Sequence, residues 1–288
     1  MASEEDVGTA DSVVLADGVR MPLVGLGMLH VSSEEAIEPV RFALEAGYRA
    51  IDTAAVYGNE AGVGQAIRES ALERDDVFVT TKVWNTDHGY DETMRAFDKS
   101  LGRLGLDYVD LYLIHWPMVS VGKIAETWRA LEEIKRQGRT RSIGVSNFMV
   151  KHLEQLARDS DEVPSVNQIE LHPWLQQREL EGYHAAHGIR TEAWSPLGQG
   201  KVLQNPTVMA IGARHKKSAA QVILRWHIDC GRVVIPKSVN GARIRENIDV
   251  FDFVLDSDEM AAMASLNTDR RIGSHPDSPP TVGLPFDD

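Results

Sequence analysis

Short apolar runs alternate with amphipathic stretches along most of this chain, and the alternation predicts its elements. Eight runs read as strands, at residues 23–27, 48–52, 77–82, 110–115, 141–146, 166–170, 189–195 and 233–237. Between them lie stretches with helical spacing, for example residues 33–46, 91–104, 124–137 and 150–158. In the last of these Val150, Leu153 and Leu156 recur every three residues, a stripe that suits a helix and not an alternating strand. One junction recurs: a helical stretch, a glycine, then a strand, at Gly47, Gly138, Gly188 and Gly231. A glycine just past a helix end can take the left-handed conformation that closes the last turn. Strands alternating with helices imply parallel pairing with right-handed crossovers. Eight such units in a chain of 288 residues predict an α/β fold, a closed (β/α)8 TIM barrel forming one domain over 1–288. Ahead of the first unit, residues 13–21 read as a β-hairpin around Asp17-Gly18, placed to cap the barrel bottom. Residues 1–11 read as a disordered lead, and 270–288, rich in Pro, Gly, Asp and Ser, as an irregular tail.

Composition narrows the function. A formal charge of −13 argues against a nucleic-acid or anionic-membrane partner, either of which needs a basic face. An anionic ligand must therefore be held by a few local cations. The single cysteine, Cys230, excludes an internal disulfide and fits a reducing compartment. The first ten residues lack the cationic and apolar regions of a secretion signal. A cytoplasmic protein is expected, and a monomer.

Four residues sit at or just beyond consecutive strand ends: Asp52, Tyr57, Lys82 and His115. In a (β/α)8 barrel those ends open on one mouth. A phenol, an ammonium, a carboxylate and an imidazole together suit carbonyl reduction, because the oxygen must gain a proton as hydride reaches the carbon. A free phenol titrates near ~10. A charged lysine about 4 Å away contributes roughly 4 kcal/mol at an effective dielectric of ~20. At ~1.36 kcal/mol per pKa unit, that brings the phenol toward ~7. Asp52 is placed to keep the buried lysine charged, and His115 to donate to the substrate oxygen. Taken singly, each has a plainer reading: loop aromatic, solvated cation, core histidine, helix cap. Their joint placement is what favours chemistry.

Three stretches carry a further signal: residues 47–60 (Gly-Tyr-Arg-Ala-Ile-Asp-Thr-Ala-Ala-Val-Tyr-Gly-Asn-Glu), 106–117 (ending Leu-Ile-His-Trp-Pro) and 235–238 (Ile-Pro-Lys-Ser). They resemble the signature regions of aldo-keto reductases, over residues 12 to 276. Trp194 with Ser-Pro-Leu-Gly-Gln-Gly after it, and residues 246–253, are most similar to the bacterial branch containing diketogluconate reductases. The resemblance implies that Tyr57, Lys82, Asp52 and His115 are a catalytic tetrad and that the cofactor is NADPH, bound across the mouth. It places Ser146, Asn147 and Gln168 at the nicotinamide carboxamide, since amides and hydroxyls both donate and accept. Trp194 offers a flat face to the ring. Ser195, Leu197, Gly198, Gln199 and Gly200 would approach the pyrophosphate. Lys237, Ser238, Val239 and Arg243 would surround the 2′-phosphate, with Glu246 and Asn247 near the adenine; arginine's planar fork is the reason to prefer NADPH.

Met28, Leu29, Trp84, Asn85 and Trp116 are expected to wall the substrate. Met28 stands where many relatives have threonine or a small residue, and Asn240 where some have another cation. Gly25-Leu26-Gly27 lacks the third glycine of a Rossmann fingerprint, His30 standing in its place. No metal is expected, because His184 and His187 have no carboxylate or cysteine set at ligand spacing. A hydrolase on the same barrel would need several acidic strand ends, and only Asp52 and Glu170 qualify. The other class of function is a cofactor-binding redox sensor or regulatory subunit on this fold, with little turnover.

Overall fold

A computed structural model of the chain describes residues 11–279. The expected disordered lead falls outside the described residues except for Asp11. That residue is held, its carbonyl accepting from the Leu23 amide at 2.7 Å.

The chain opens with β1 (Ser12–Val14) and β2 (Arg20–Pro22), antiparallel around the Asp17-Gly18 turn. Eight parallel strands follow: β3 (Leu26–Gly27), β4 (Ala50–Asp52), β5 (Phe78–Val83), β6 (Val109–Ile114), β7 (Thr140–Ser146), β8 (Val166–Glu170), β9 (Arg190–Trp194) and β10 (Val233–Val234). Each pairs with its neighbour in chain order. Bridges between Val24 and Val234 and between Gly27 and Lys237 join the first run to the last and close the barrel. The seam explains the Gly25-Leu26-Gly27 pattern. A Cβ on Gly27 would lie 2.9 Å from the Ile235 carbonyl oxygen, and one on Gly25 within 3.2 Å of Ile235 and Ala50. These glycines serve strand closure, where backbones come too near for a side chain.

The helices are α1 (Ser33–Glu45), α2 (Glu60–Arg68), α3 (Tyr90–Leu104), α4 (Ile124–Arg136), α5 (Val150–Asp159), α6 (Arg178–Ala186), α7 (Pro206–His215), α8 (Ala219–Asp229), α9 (Gly241–Ile248) and α10 (Ser257–Ala264). Local chemistry starts several of them. Ser32 and Glu35 form a capping box on α1, as Ser218 and Gln221 do on α8. The junction glycines Gly47, Gly138, Gly188 and Gly231 all have positive φ, between 71° and 101°. Two helices, α7 and α10, exceed the one-per-strand pattern and pack on each other, with His215 2.8 Å from Glu259.

The barrel is filled from below by the hairpin. Leu15, Met21 and Leu23 pack with Phe78, Leu111, Leu113 and Val166 in one apolar layer. At the hairpin tip Asp17 Oδ2 accepts from Ser142 Oγ and Ser165 Oγ, both at 2.8 Å, and from Lys135 at 3.3 Å. The expected plug at the barrel bottom is therefore in place. The described part of the tail is irregular, as expected, but pinned. The amides of Ile272 and Gly273 donate to the Glu170 carboxylate at the end of β8, at 2.6 and 3.1 Å.

Candidate active site

Three strand ends and one loop turn bring the predicted catalytic residues together. Asp52 closes β4 and Lys82 lies one residue before the end of β5; His115 follows β6 directly. Tyr57 ends a single 3-10 turn, Ala55–Tyr57, closed by Gly58 at φ +68°. Lys82 is fully buried. Its Nζ donates to Asp52 Oδ1 at 2.6 Å, to the Thr53 carbonyl at 3.0 Å and to Tyr57 Oη at 3.5 Å. The Tyr57 and His115 rings meet edge-on with centroids 5.6 Å apart, and Trp84 packs edge-on against His115 at 5.1 Å.

Each charge state has a local cause. Burial works against the charge on Lys82, but Asp52 and then Tyr57 outweigh it and hold the ammonium above its ordinary value. Burial pushes the Asp52 carboxyl up, with Lys82 and Gln168 pulling it back. Burial also raises the Tyr57 phenol; Lys82 lowers it, while Asp52 pushes the same way as burial. The phenol near ~7 expected from the lysine alone is thus corrected. Burial is the largest influence on the phenol, and the negative charge of Asp52 offsets part of what Lys82 contributes. Tyr57 stays protonated at neutral pH. That still suits a general acid, since an alkoxide rivals hydroxide in basicity, whose conjugate acid titrates near ~15.7. His115 is held well below its ordinary value by burial, then by Lys82 and His88, and its Nδ1 is buried without a partner among the described residues. A neutral imidazole can donate one hydrogen bond but cannot repel Lys82.

These groups open on a cleft of about 90 Å³ at the barrel mouth. Met28, Leu29, Trp116, Ser146, Asn147, Gln168, Trp194, Ser195 and Lys237 line it with Asp52, Tyr57 and His115. Trp84, Trp116 and Met118 form an apolar cluster beside it, packed by Val56 and Trp194. Met118 and Val56 escape a sequence reading, because isolated apolar loop residues have no periodic signal. Asn85 is buried next to Trp84 but does not line the cleft.

The expected cofactor residues divide into two sets. Asn147 is committed: its Nδ2 donates to the His115 carbonyl and Ser146 Oγ, at 3.0 and 3.1 Å, and its Oδ1 accepts from Trp194 Nε1 at 2.8 Å. That last bond fixes the plane of the tryptophan. Ser146 Oγ donates to the Gln168 carbonyl at 2.8 Å. Gln168 Nε2 donates to Asp52 Oδ2 at 2.7 Å and to Glu192 Oε2 at 2.9 Å. The side-chain donors are therefore spent inward, and the side-chain oxygen Oε1 is the atom left for a ligand. The second set runs from the rim of the cleft, where Ser195 and Lys237 line it, outward. Gly198–Gly200 is a 3-10 turn with Gly198 buried and Gln199 and Gly200 exposed, while Leu197 packs on the core. Lys237, Val239 and Arg243 are exposed; Ser238 Oγ accepts from the Asn240 amide at 3.1 Å. Glu246 is half-buried, and Asn247 is buried on the face of α9 that also carries Ile244.

Asn240, noted as a departure, caps α9 by accepting from the Arg243 amide at 3.1 Å. Neither Lys237 nor Arg243 forms a salt bridge among the described residues, in a chain otherwise rich in acid. Two unspent cations beside a helix N-terminus, with an indole face at the cleft, fit a phosphorylated dinucleotide.

Comparison with known proteins agrees with this geometry. The model of the Aldo/keto reductase family matches residues 23–268. The chain belongs to that family. Its relatives include a protein named glyoxal reductase from Bacillus subtilis, 53% identical over 93% of this chain and 96% of that one. Another is the methylglyoxal reductase DkgA of Escherichia coli K12, 46% identical over 92% and 96%. Among solved structures, a mutant of Gox0644 in complex with NADPH superposes with a TM-score of 0.90 at 46% identity, covering 95% of this chain and 98% of that one. This aldo/keto reductase carries no group of three or more potential metal ligands among its described residues. His184, one of the two histidines weighed for metal, is buried between Asn167 and Thr191; His187 stacks on Tyr183. Among the described residues no helix is long and apolar enough to cross a membrane.

Sequence reasoning missed Glu192, buried in β9 and bonded to Gln168. A signal was present: an acid at the centre of a strand, two residues before Trp194 and so on the same side of it.

Proposed function

We propose that Tyr57, Lys82, Asp52 and His115 carry out carbonyl reduction in this NADPH-dependent oxidoreductase, on small aldehydes, ketones and above all α-dicarbonyls. The observation that carries the reading is Lys82 Nζ lying 2.6 Å from Asp52 and 3.5 Å from Tyr57 Oη, directly under a cleft shared with His115 and Trp194. NADPH, when bound, supplies the hydride. Trp194, held by Asn147, would stack the nicotinamide; Ser146, Asn147 and Gln168 Oε1 would orient its carboxamide. Ser195 and Gly198–Gly200 would follow the pyrophosphate, and Lys237, Ser238 and Arg243 the 2′-phosphate, with Glu246 and Asn247 on the adenine side.

His115 would donate to the substrate oxygen and aim the carbonyl. Tyr57 holds its proton on Oη and passes it to that oxygen as negative charge develops there. Lys82 stabilises the phenolate left behind, and Asp52 keeps Lys82 charged. The small cleft, walled by Met28, Leu29 and Trp116 with Trp84 packed beside it, favours two- and three-carbon substrates. The glyoxal and methylglyoxal reductases among its relatives support the dicarbonyl class. In this reading the protein works as a cytosolic monomer of one domain.

The test follows NADPH absorbance with methylglyoxal, phenylglyoxal and 4-nitrobenzaldehyde. Turnover on methylglyoxal is expected. Tight NADPH binding without turnover on all three would instead support the redox-sensor reading.

A further inference from the structure

Below the tetrad the barrel holds a second carboxyl group. Glu192 is 1% exposed. It pairs in register with Gln168 on β8 and with Val233 on β10. Gln168 Nε2 presents one hydrogen to Asp52 Oδ2 at 2.7 Å and the other to Glu192 Oε2 at 2.9 Å. Asp52 faces the Lys82 ammonium and is an acceptor only, so the Gln168 amide must turn its NH2 to it. The same NH2 reaches Glu192, and no cation touches that carboxyl group.

Charge counting then decides its state. The buried set holds one cation, Lys82, and two carboxyl groups. Two ionised carboxylates would leave a net negative charge in an apolar barrel, which is costly. One proton must stay in the set, and it belongs on the carboxyl farther from Lys82. The groups acting on Glu192 are Asp52 on β4, Lys82 on β5 and Gln168 on β8, and Glu192 in turn acts on Tyr57 beyond β4. Its β10 partner in register, Val233, carries no charge. Burial first, then Asp52, pushes Glu192 up to about 8, with Gln168 and Lys82 opposing.

We propose that Glu192 is a positioning residue for the reaction: as a neutral acid it shares the Gln168 amide with Asp52 and leaves Asp52 the sole counter-ion of Lys82. Through Gln168 it sets where Asp52 stands, and through Asp52 how much of the lysine field reaches Tyr57. Once ionised, Glu192 competes for that field, and the phenol becomes a weaker acid. The inference rests on the tetrad reading given under Proposed function.

The experiment uses E192Q, which copies the neutral acid, and E192L, which removes both polar atoms. kcat/KM for methylglyoxal reduction is followed from pH 6 to 10. In the wild type it should fall about 3- to 10-fold across pH 8, the size of roughly one unit in the acidity of the donor. E192Q should match the wild type within about threefold at pH 6.5 and lose the fall near pH 8. E192L should lose tenfold or more at every pH, because Gln168 loses one anchor and Asp52 shifts. Infrared difference spectra of the free enzyme give a readout independent of turnover. The wild type should show a protonated carboxyl C=O band that titrates near pH 8 and is missing in E192Q.

A wild-type profile flat through pH 8, the same inflection in E192Q, E192Q as impaired at pH 6.5 as E192L, or no titrating band would each overturn the proposal. Failure of the tetrad reading would look different: Y57F would keep its turnover, whatever the Glu192 variants do.

Discussion

At the barrel bottom Asp110 accepts from Arg74 at 2.7 Å, from Arg141 at 3.2 Å and from the Val79 amide at 2.9 Å. At the mouth Asp52 accepts from Lys82 at 2.6 Å and Gln168 at 2.7 Å. Both carboxyl groups are buried, both end on cations, and both stand on strands of the same barrel. The cations differ. Arg74 and Arg141 reach toward solvent and both pack over the ring of Tyr108. Lys82 has no exposure at all and spends a third contact on a phenol. One arrangement is a latch; the other can feel a proton leave. Cavity size points the wrong way. The space at the bottom is about 590 Å³ and the cleft at the mouth about 90 Å³. What marks the reactive end is convergence of unlike titratable groups, and volume does not.

The comparison breaks first, and most widely, at Tyr57. Y57F should lower turnover by ~10²–10⁴ with NADPH affinity nearly intact, because only the proton donor is lost. Steady-state kinetics with fluorescence titration of the cofactor decide it. Turnover close to wild type would remove the chemistry from the mouth. On the rim, R243A should weaken NADPH by about 1.5–3 kcal/mol and leave NADH almost unchanged, since the lost bonds go to a phosphate that NADH lacks. Equal losses for the two cofactors would place Arg243 elsewhere.

The bottom should answer in stability alone. D110N leaves two guanidinium groups short of a counter-charge. Breaking a buried pair costs about 3–5 kcal/mol, reduced here to about 1–3 because both arginines reach water. Urea unfolding should show that loss while kcat stays within about twofold. A large fall in kcat would mean the two ends are coupled. The smallest effect is expected at the hairpin tip. D17A removes an acceptor shared by two serines and a lysine and should cost about 1 kcal/mol, with no change in kinetics.

Much of this protein is written locally. Strand runs, helical stripes and junction glycines report on one or two turns of chain, and their alternation permits few topologies, so the barrel and its hairpin plug were legible in order. The tetrad was legible for the same reason, because strand ends in a closed parallel barrel share a mouth. Other features depended on distances between segments far apart in sequence. Gly25 and Gly27 resemble two thirds of a dinucleotide fingerprint, and only the 2.9 Å approach of the Ile235 carbonyl shows that they close a seam. The acidity of Tyr57 depended first on its burial and then on Lys82 and Asp52 acting in opposite directions, which no spacing encodes. Glu192 stood in plain view as an acid at the centre of a strand. Its partner, Gln168, lies 24 residues earlier on the adjoining strand, and only the register of the folded sheet made them one group. Sequence determined which elements form and in what order, because helices and strands are short-range phenomena. Tertiary structure decided protonation and field, because Coulomb interactions and burial depend on where distant segments meet.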